Sequence, residues 1–233
     1  MPRPFGVVAF IALILVFLAQ PVRAGPAETA WKVASPSVVI VEPIWPGYQR
    51  PGFGAPEGTA PEGSGVALLE PGLIATAAHV VARATSVSVR DHEDRTYPAK
   101  IVAVDRPTDL ALLRIDAPLK PIIVAPERPA TGAEVCAIGN AFGLDLSITC
   151  GIVSARSRSG IGFNPIEDFI QTDAAINPGA SGGALVDQEG RLVGLISAIF
   201  TKDTDANAGV NFAVSAELLM TRSRLMLDRA KVE

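Results

Sequence analysis

What most constrains the fold of this 233-residue chain is the spacing of its apolar segments. They are short, rich in β-branched residues and separated by turn residues. One series comprises Ser37–Val41, Ser64–Leu69, Leu73–Thr76, Ser86–Val89, Lys100–Asp105 and Asp109–Ile115. A second comprises Glu134–Gly139, Ser147–Ala155, Phe169–Thr172, Ala184–Val186, Leu192–Ala198 and Gly209–Val214. Many short strands with turns between them are the pattern of all-β sandwiches or barrels. Pro118, Pro121, Pro126 and Pro129 punctuate the stretch between the series, which reads as a linker joining two β-units. The Pro- and Gly-rich segment Pro43–Gly63 has no core-facing period and reads as a surface loop. Ala27–Ala34 reads as a short helical or irregular entry. At the other end the period becomes helical: Leu218, Leu219, Leu225 and Met226 follow Ser215, a residue suited to capping a helix over Ser215–Ala230.

The N-terminus follows a different logic. Arg3 is followed by an uncharged apolar run, Phe5–Ala19, and by Val22-Arg23-Ala24 with small residues at its first and third positions. This is the layout of a secretory signal peptide, residues 1–24, cut after Ala24. The apolar run is short beside the roughly 20 residues of a membrane span; an uncleaved N-terminal anchor is the alternative. Removing Arg3 and Arg23 leaves 18 basic against 24 acidic residues in Gly25–Glu233, a net charge of −6. No basic patch speaks for nucleic acid or an anionic membrane surface. The two cysteines, Cys136 and Cys150, flank a glycine-rich turn. In an exported protein they form either a bridge or a pair of buried free thiols. A bridge across a loop of this size contributes roughly 3 kcal/mol in the chain-entropy model. Without CxxC or clustered histidines, no metal site is expected.

The chain has two histidines. His92, in Asp91-His92-Glu93-Asp94, belongs to a charged turn. His79 follows an apolar strand in Thr76-Ala77-Ala78-His79-Val80, where small neighbours let the backbone pack closely and aim the imidazole sideways. The strongest local signal is Asn177-Pro178-Gly179-Ala180-Ser181-Gly182-Gly183. Gly and Pro exclude an interior strand or helix there, and glycines around a serine permit backbone shapes that other residues avoid. Such a loop suits a nucleophile whose flanking N–H groups converge on one point. Gly179, Ala180 and Ser181 are therefore the candidate oxyanion-hole segment, with the Gly179 and Ser181 N–H groups as donors. A serine hydroxyl needs an adjacent base, and that base needs a carboxylate to set its tautomer. Asp109, opening the apolar strand Asp109–Ile115 after a Pro107-Thr108 turn, is the candidate carboxylate.

Together these segments resemble the trypsin-like serine proteases, and within them the HtrA/Deg group of bacterial stress proteases. The order His79, Asp109, Ser181 is that of this fold and differs from subtilisins and α/β-hydrolases. Gly63-Ser64-Gly65-Val66 resembles the strand before the histidine, and Asp109–Ile115 the aspartate strand. Ala137–Leu144 and Gly151–Ser154 resemble the central hairpin, Phe169–Gly179 the approach to the serine, and Asn211–Val214 the last strand. The match covers about Ser37 to Val214.

The resemblance implies a chymotrypsin/trypsin-like double antiparallel β-barrel with a C-terminal helix. His79 and Asp109 are expected on the first barrel (about 35–117), Ser181 on the second (about 133–214), with a linker at about 118–132. It implies a serine endopeptidase acting on exported or misfolded polypeptides, with no cofactor, no metal and no nucleic acid. Ile176, Ala198 and Ile199 are expected to line the primary specificity pocket. Ala175 stands where trypsin has its specificity aspartate, so small or medium apolar residues are expected before the cut bond. Ala180 stands where HtrA proteins commonly carry asparagine and digestive trypsins the aspartate that pairs with a new N-terminus. Activation through that ion pair is not expected. One helix then closes the chain at Glu233, so the PDZ domain usual in HtrA proteins is not expected. A homotrimer built through Trp31 and Trp45 follows from the resemblance, although core packing serves equally well for these side chains. The loops Arg156–Asp168 and Thr201–Ala208 match regions whose order controls activity in the group. The alternative reading is a proteolytically inactive, chaperone-like peptide binder.

Overall fold

The computed structural model describes residues 24–46, 62–199 and 208–231, with 198 and 199 described in their backbone only. Apart from Ala24, the expected signal peptide lies outside the described residues, as do 47–61 of the Pro/Gly-rich loop and 201–207 of the last loop.

Six strands close into a first barrel: β1 (Val38–Ile44), β2 (Gly63–Ala67), β3 (Leu73–Ala77), β4 (Ser86–Arg90), β5 (Thr96–Asp105) and β6 (Leu110–Ile115), in the spatial order β1-β2-β3-β6-β5-β4. Six more close a second: β7 (Glu134–Gly139), β8 (Ser147–Arg158), β9 (Phe169–Thr172), β10 (Ala184–Val186), β11 (Leu192–Ile199) and β12 (Asn211–Ser215), in the order β10-β11-β12-β9-β8-β7. All pairings within the barrels are antiparallel. Closure of this kind leaves no sheet edge to be covered. β4 shows why the sequence reads as strand: Val87 and Val89 are buried while Ser86, Ser88 and Arg90 face outward.

Each barrel fills its own interior. Val39, Val41, Ile74, Val89 and Leu113 pack inside the first. Val135, Val153, Ile170, Leu185 and Ile196 pack inside the second. A third apolar layer combines Val66, Leu68 and Leu112 of the first barrel with Ile138, Leu195 and Phe212 of the second. Each such side chain withdrawn from water contributes about 1.5–3 kcal/mol. The shared layer therefore makes the two barrels one unit.

Two strands are longer than expected because proline is tolerated at a specific place. Pro43 lies within β1 and pairs with Val87 of β4, but β1 pairs with β2 only from Val38 to Val41. Pro98 lies within β5 opposite Ser88, whereas β5 meets β6 only from Ala99 onward. Among the described residues, each proline thus sits where only one side of its strand is paired, and its missing N–H costs no ladder bond there. The linker is also more ordered than its prolines suggest. The Ile122 N–H donates to the Ala67 carbonyl (2.8 Å), and Ala125 and Ile123 exchange bonds with Leu192 (2.9 and 2.7 Å).

Two helices flank the barrels. α1 (Pro26–Ala34) buries Ala30 and Ala34, and its half-buried Trp31 packs against the shared layer. The long C-terminal helix spans Ala216–Ala230, with Ser215 as N-cap accepting the Leu218 N–H at 3.2 Å. Arg128 of the linker forks onto Asp168 (2.9 and 2.6 Å) and onto Glu217 in this helix's first turn (3.1 and 3.0 Å). Arg222, further along the helix, grips Asp105 of the first barrel with two 2.7 Å bonds. Cys136 and Cys150 oppose each other across β7 and β8, Cα atoms 4.0 Å apart, with their sulfurs bonded.

Candidate active site

β3 leads directly into α2 (Ala78–Val81), a single helical turn. From the sequence His79 is expected simply beyond a strand. The turn forms because Ala78, Val80 and Val81 are all buried, which leaves His79 as its outward member. The β3–β6 register pairs Ala77 with Leu110, and the Ala78 N–H donates to the Asp109 carbonyl (2.9 Å). His79 and Asp109 are therefore neighbours by strand pairing.

Asp109 does not open β6, as expected from the sequence. It ends a 3-10 turn, Arg106–Thr108, in the left-handed region at φ 55°, and β6 begins one residue later. Aspartate is among the residues that tolerate this conformation. The bend turns its carboxylate back toward α2. One oxygen accepts the His79 main-chain N–H (2.9 Å); the other meets His79 Nδ1 (2.7 Å). An ionised carboxylate only accepts hydrogen bonds, so Nδ1 is the donor here, and in the neutral imidazole Nε2 then presents a lone pair. The Asp109 side chain is 16% exposed and that of His79 51% exposed. The carboxylate is thus withdrawn from water while the ring faces the cleft. His92 sits in the β4–β5 turn, 3.9 Å from the Glu93 carboxylate.

On the second barrel, Asn177–Ala180 form a turn closed by the Ala180 N–H to the Asn177 carbonyl (3.0 Å). Pro178 and Gly179 occupy its centre, with Gly179 at φ 96° as a type II turn requires. The Phe142 N–H holds the Pro178 carbonyl (2.7 Å). A peptide group's C=O and N–H point in opposite directions, so this bond also orients the Gly179 N–H. Among the described residues, neither the Gly179 nor the Ser181 N–H has a hydrogen-bond acceptor. Ala180, grouped with them from the sequence, spends its own N–H inside the turn. Its side chain is 5% exposed, packed on Gly139 and in the second core.

The barrels meet at this turn. The Ser64 N–H of β2 donates to the Ser181 carbonyl (2.8 Å), and the Cα of Gly182 fits against Ser64 and Thr76. Ser197 on β11 joins the rest: its carbonyl accepts the Ser181 hydroxyl (3.4 Å) and its own hydroxyl donates to Asp109 (3.4 Å). No hydrogen bond joins His79 and Ser181 among the described residues. Ser197 went unnoticed in the sequence. In the sequence it is one serine within an apolar strand, Leu192–Ile199, and only the structure shows it to be buried.

Of the expected pocket residues, Ile176 is buried in the second core, and Ala198 and Ile199 extend β11 opposite Phe212 and Asn211. The side chains of Ala198 and Ile199 lie outside the described residues. The approach to Ser181 is held by the Thr149 hydroxyl on the Ala175 carbonyl (2.6 Å), the Ile152 N–H on Asp173 (2.7 Å) and Asn211 on the Ala174 carbonyl (2.9 Å). The loop after β8 is organised by Glu167, whose carboxylate accepts the N–H groups of Ile161, Gly162, Phe163 and Asn164.

Residues 63–195 match the model of the trypsin-like peptidase domain family. Protease Do-like 1, chloroplastic, of Arabidopsis thaliana is 42% identical over 166 residues, 67% of this chain and 38% of that protein. Periplasmic serine endoprotease DegP of Escherichia coli is 41% identical over 175 residues, 73% of this chain and 37% of that protein. Among solved structures, the HtrA-type protease AlgW with tripeptide superposes with a TM-score of 0.78 at 36% identity, covering 86% of this chain and 63% of the other. The chain thus spans less than two fifths of the length of these two relatives. It belongs to the trypsin-like peptidase domain family and is HtrA-like within it.

Proposed function

We propose that the chain is a serine endopeptidase in which His79, Asp109 and Ser181 form the catalytic triad. The observation that carries this reading is a carboxylate-held imidazole on one barrel and, on the other, a serine linked through Ser197 to the same carboxylate, whose own and Gly179's N–H groups lack acceptors among the described residues. Ser181 attacks the peptide carbonyl through Oγ while Nε2 of His79 takes the proton. The two free N–H groups receive the oxyanion, and Asp109 stabilises the imidazolium. His79 then returns the proton to the leaving amine, and water hydrolyses the acyl-enzyme by the same route in reverse. The 3.4 Å bond from Ser181 to Ser197 is long for a hydroxyl donor. A rotation about χ1 redirects the hydroxyl toward His79, in keeping with the loose contacts of unliganded catalytic sites.

The proposed substrates are exported or misfolded polypeptides, with small or medium apolar residues selected by a pocket at Ile176, Ala198 and Ile199. The relatives include periplasmic serine endoproteases, which supports export as the setting. A homotrimer belongs to the same proposal. Casein hydrolysis, peptide-library cleavage and labelling by a fluorophosphonate test it. We expect one adduct, at Ser181, and loss of turnover in Ser181→Ala. Equal hydrolysis by that variant would remove the serine mechanism, and cleavage dominated by Arg or Lys would overturn the pocket assignment. Peptide binding without hydrolysis would instead establish the chaperone-like alternative.

A further inference from the structure

We propose that Ser64, on the first barrel, is the positioning residue that sets the oxyanion donors of the second; this rests on the peptidase reading above. The Ser64 side chain is fully buried and its hydroxyl is used twice. Oγ accepts the Asn140 N–H (2.8 Å) and donates to the Gly179 carbonyl (2.8 Å). The Ser64 main-chain N–H donates to the Ser181 carbonyl (2.8 Å). The two residues whose N–H groups await an acceptor are thus the two whose carbonyls Ser64 holds.

Strand register leaves Ser64 available for this task. β2 pairs with β3 only at Val66 and Ala67, so at Ser64 the ladder on that side has ended and the nucleophile turn takes the neighbouring strand's place. A hydroxyl proton normally rotates among acceptors. Here the Asn140 N–H occupies a lone pair of Oγ, which directs the proton at Gly179. Fixing the Gly179 carbonyl fixes the peptide plane after Cα, as the Phe142 N–H on Pro178 fixes the plane before it. The left-handed Gly179 is conformationally free by nature, so how its N–H, in the plane before Cα, stands relative to the Ala180–Ser181 segment after it depends on these two clamps. Gly139 leaves room for the arrangement: a Cβ there would lie 3.0 Å from Ser64 Oγ.

The test compares Ser64→Ala with wild type in hydrolysis of an apolar peptide amide. It also compares affinity for a peptide boronate, which forms a tetrahedral adduct, with affinity for the matching product peptide, which does not. Deleting an oxyanion donor outright costs about 10²–10³-fold in kcat. Misaligned donors should cost less: we expect kcat to fall about 10–100-fold. Boronate affinity should fall in parallel, with KM and product affinity nearly unchanged. Ser37→Ala is the control, since it removes another buried hydroxyl donor to a carbonyl, that of Lys120, away from the cleft. It should lose stability without losing kcat. Should Ser64→Ala fail to fold, Ser64→Cys keeps the volume with a weaker donor and should show the same pattern in milder form.

A Ser64 variant with the kcat of wild type overturns the proposal. So does a loss of kcat with boronate affinity intact, because tetrahedral binding would then not depend on Ser64. A wild-type protein that neither hydrolyses peptide nor takes a fluorophosphonate sinks the peptidase reading and this inference with it.

Discussion

Breaking the bond between Cys136 and Cys150 should destabilise the protein by an amount that the structure sets. The residues are 14 apart in sequence, so in the unfolded chain the bond closes a loop worth about 3 kcal/mol in the chain-entropy model. For a protein of this size, 1 kcal/mol moves Tm by about 2–4 °C, which predicts a fall of about 6–12 °C on reduction. Burial adds a second, separable effect. Cys136 is 4% exposed within the shared core, whereas Cys150 lies at the surface of β8. Cys150→Ser loses the bridge and places its hydroxyl within reach of water. Cys136→Ser loses the same bridge and also buries a hydroxyl, for about 1–3 kcal/mol more. Urea unfolding followed by tryptophan fluorescence should rank wild type above Cys150→Ser, and Cys150→Ser above Cys136→Ser. Reduced wild type should fall near Cys150→Ser. Two thiols titrating in the unfolded, unreduced protein would refute the bridge, and equal stability of the two serine variants would refute the burial argument.

Gly182→Ala should cost more than about 3 kcal/mol, because it forces a left-handed φ on alanine and drives a Cβ into the Ser64 carbonyl. A variant with unchanged urea midpoint and unchanged hydrolysis would show that the barrels part there at no cost. Acid stability should depend on Asp168, whose carboxyl the Arg128 guanidinium, aided by the Ser215 and Ser157 hydroxyls and opposed by partial burial, holds below its ordinary 3.8. A depressed carboxylate contributes stability that is fully present above the unfolded value and is lost as pH falls through the lower folded value. Asp168→Asn should therefore weaken the protein at pH 7 and flatten its loss of stability below about pH 4. A wild-type acid slope in that variant would place the dependence elsewhere.

Much of the candidate site was legible because its residues are unusual where they stand. A serine among three glycines, a lone histidine after an apolar strand and an aspartate beside another strand each break a local pattern. The strand series was legible from β-branched runs and turns. Some features escaped because their causes are non-local. The prolines in β1 and β5 suggest strand ends, yet only the pairing shows that, among the described residues, those positions are paired on one side alone. The helical turn at His79 exists because its apolar flanks find cover on the barrel. Ser64 and Ser197 look like ordinary strand serines until the partner of each hydroxyl is known.

The sequence alone determined the periodicity, and through it twelve short strands and a final helix, because side-chain alternation is a local property of the chain. It also determined which side chains have the chemistry to act. Tertiary structure decided how they meet: barrel closure, the β3–β6 register and the turn docked on Ser64 bring Asp109 onto His79 and, among the described residues, leave two N–H groups without acceptors. Those outcomes depend on residues far apart in the chain. They are settled only when burial of the shared core selects one packing of the two barrels.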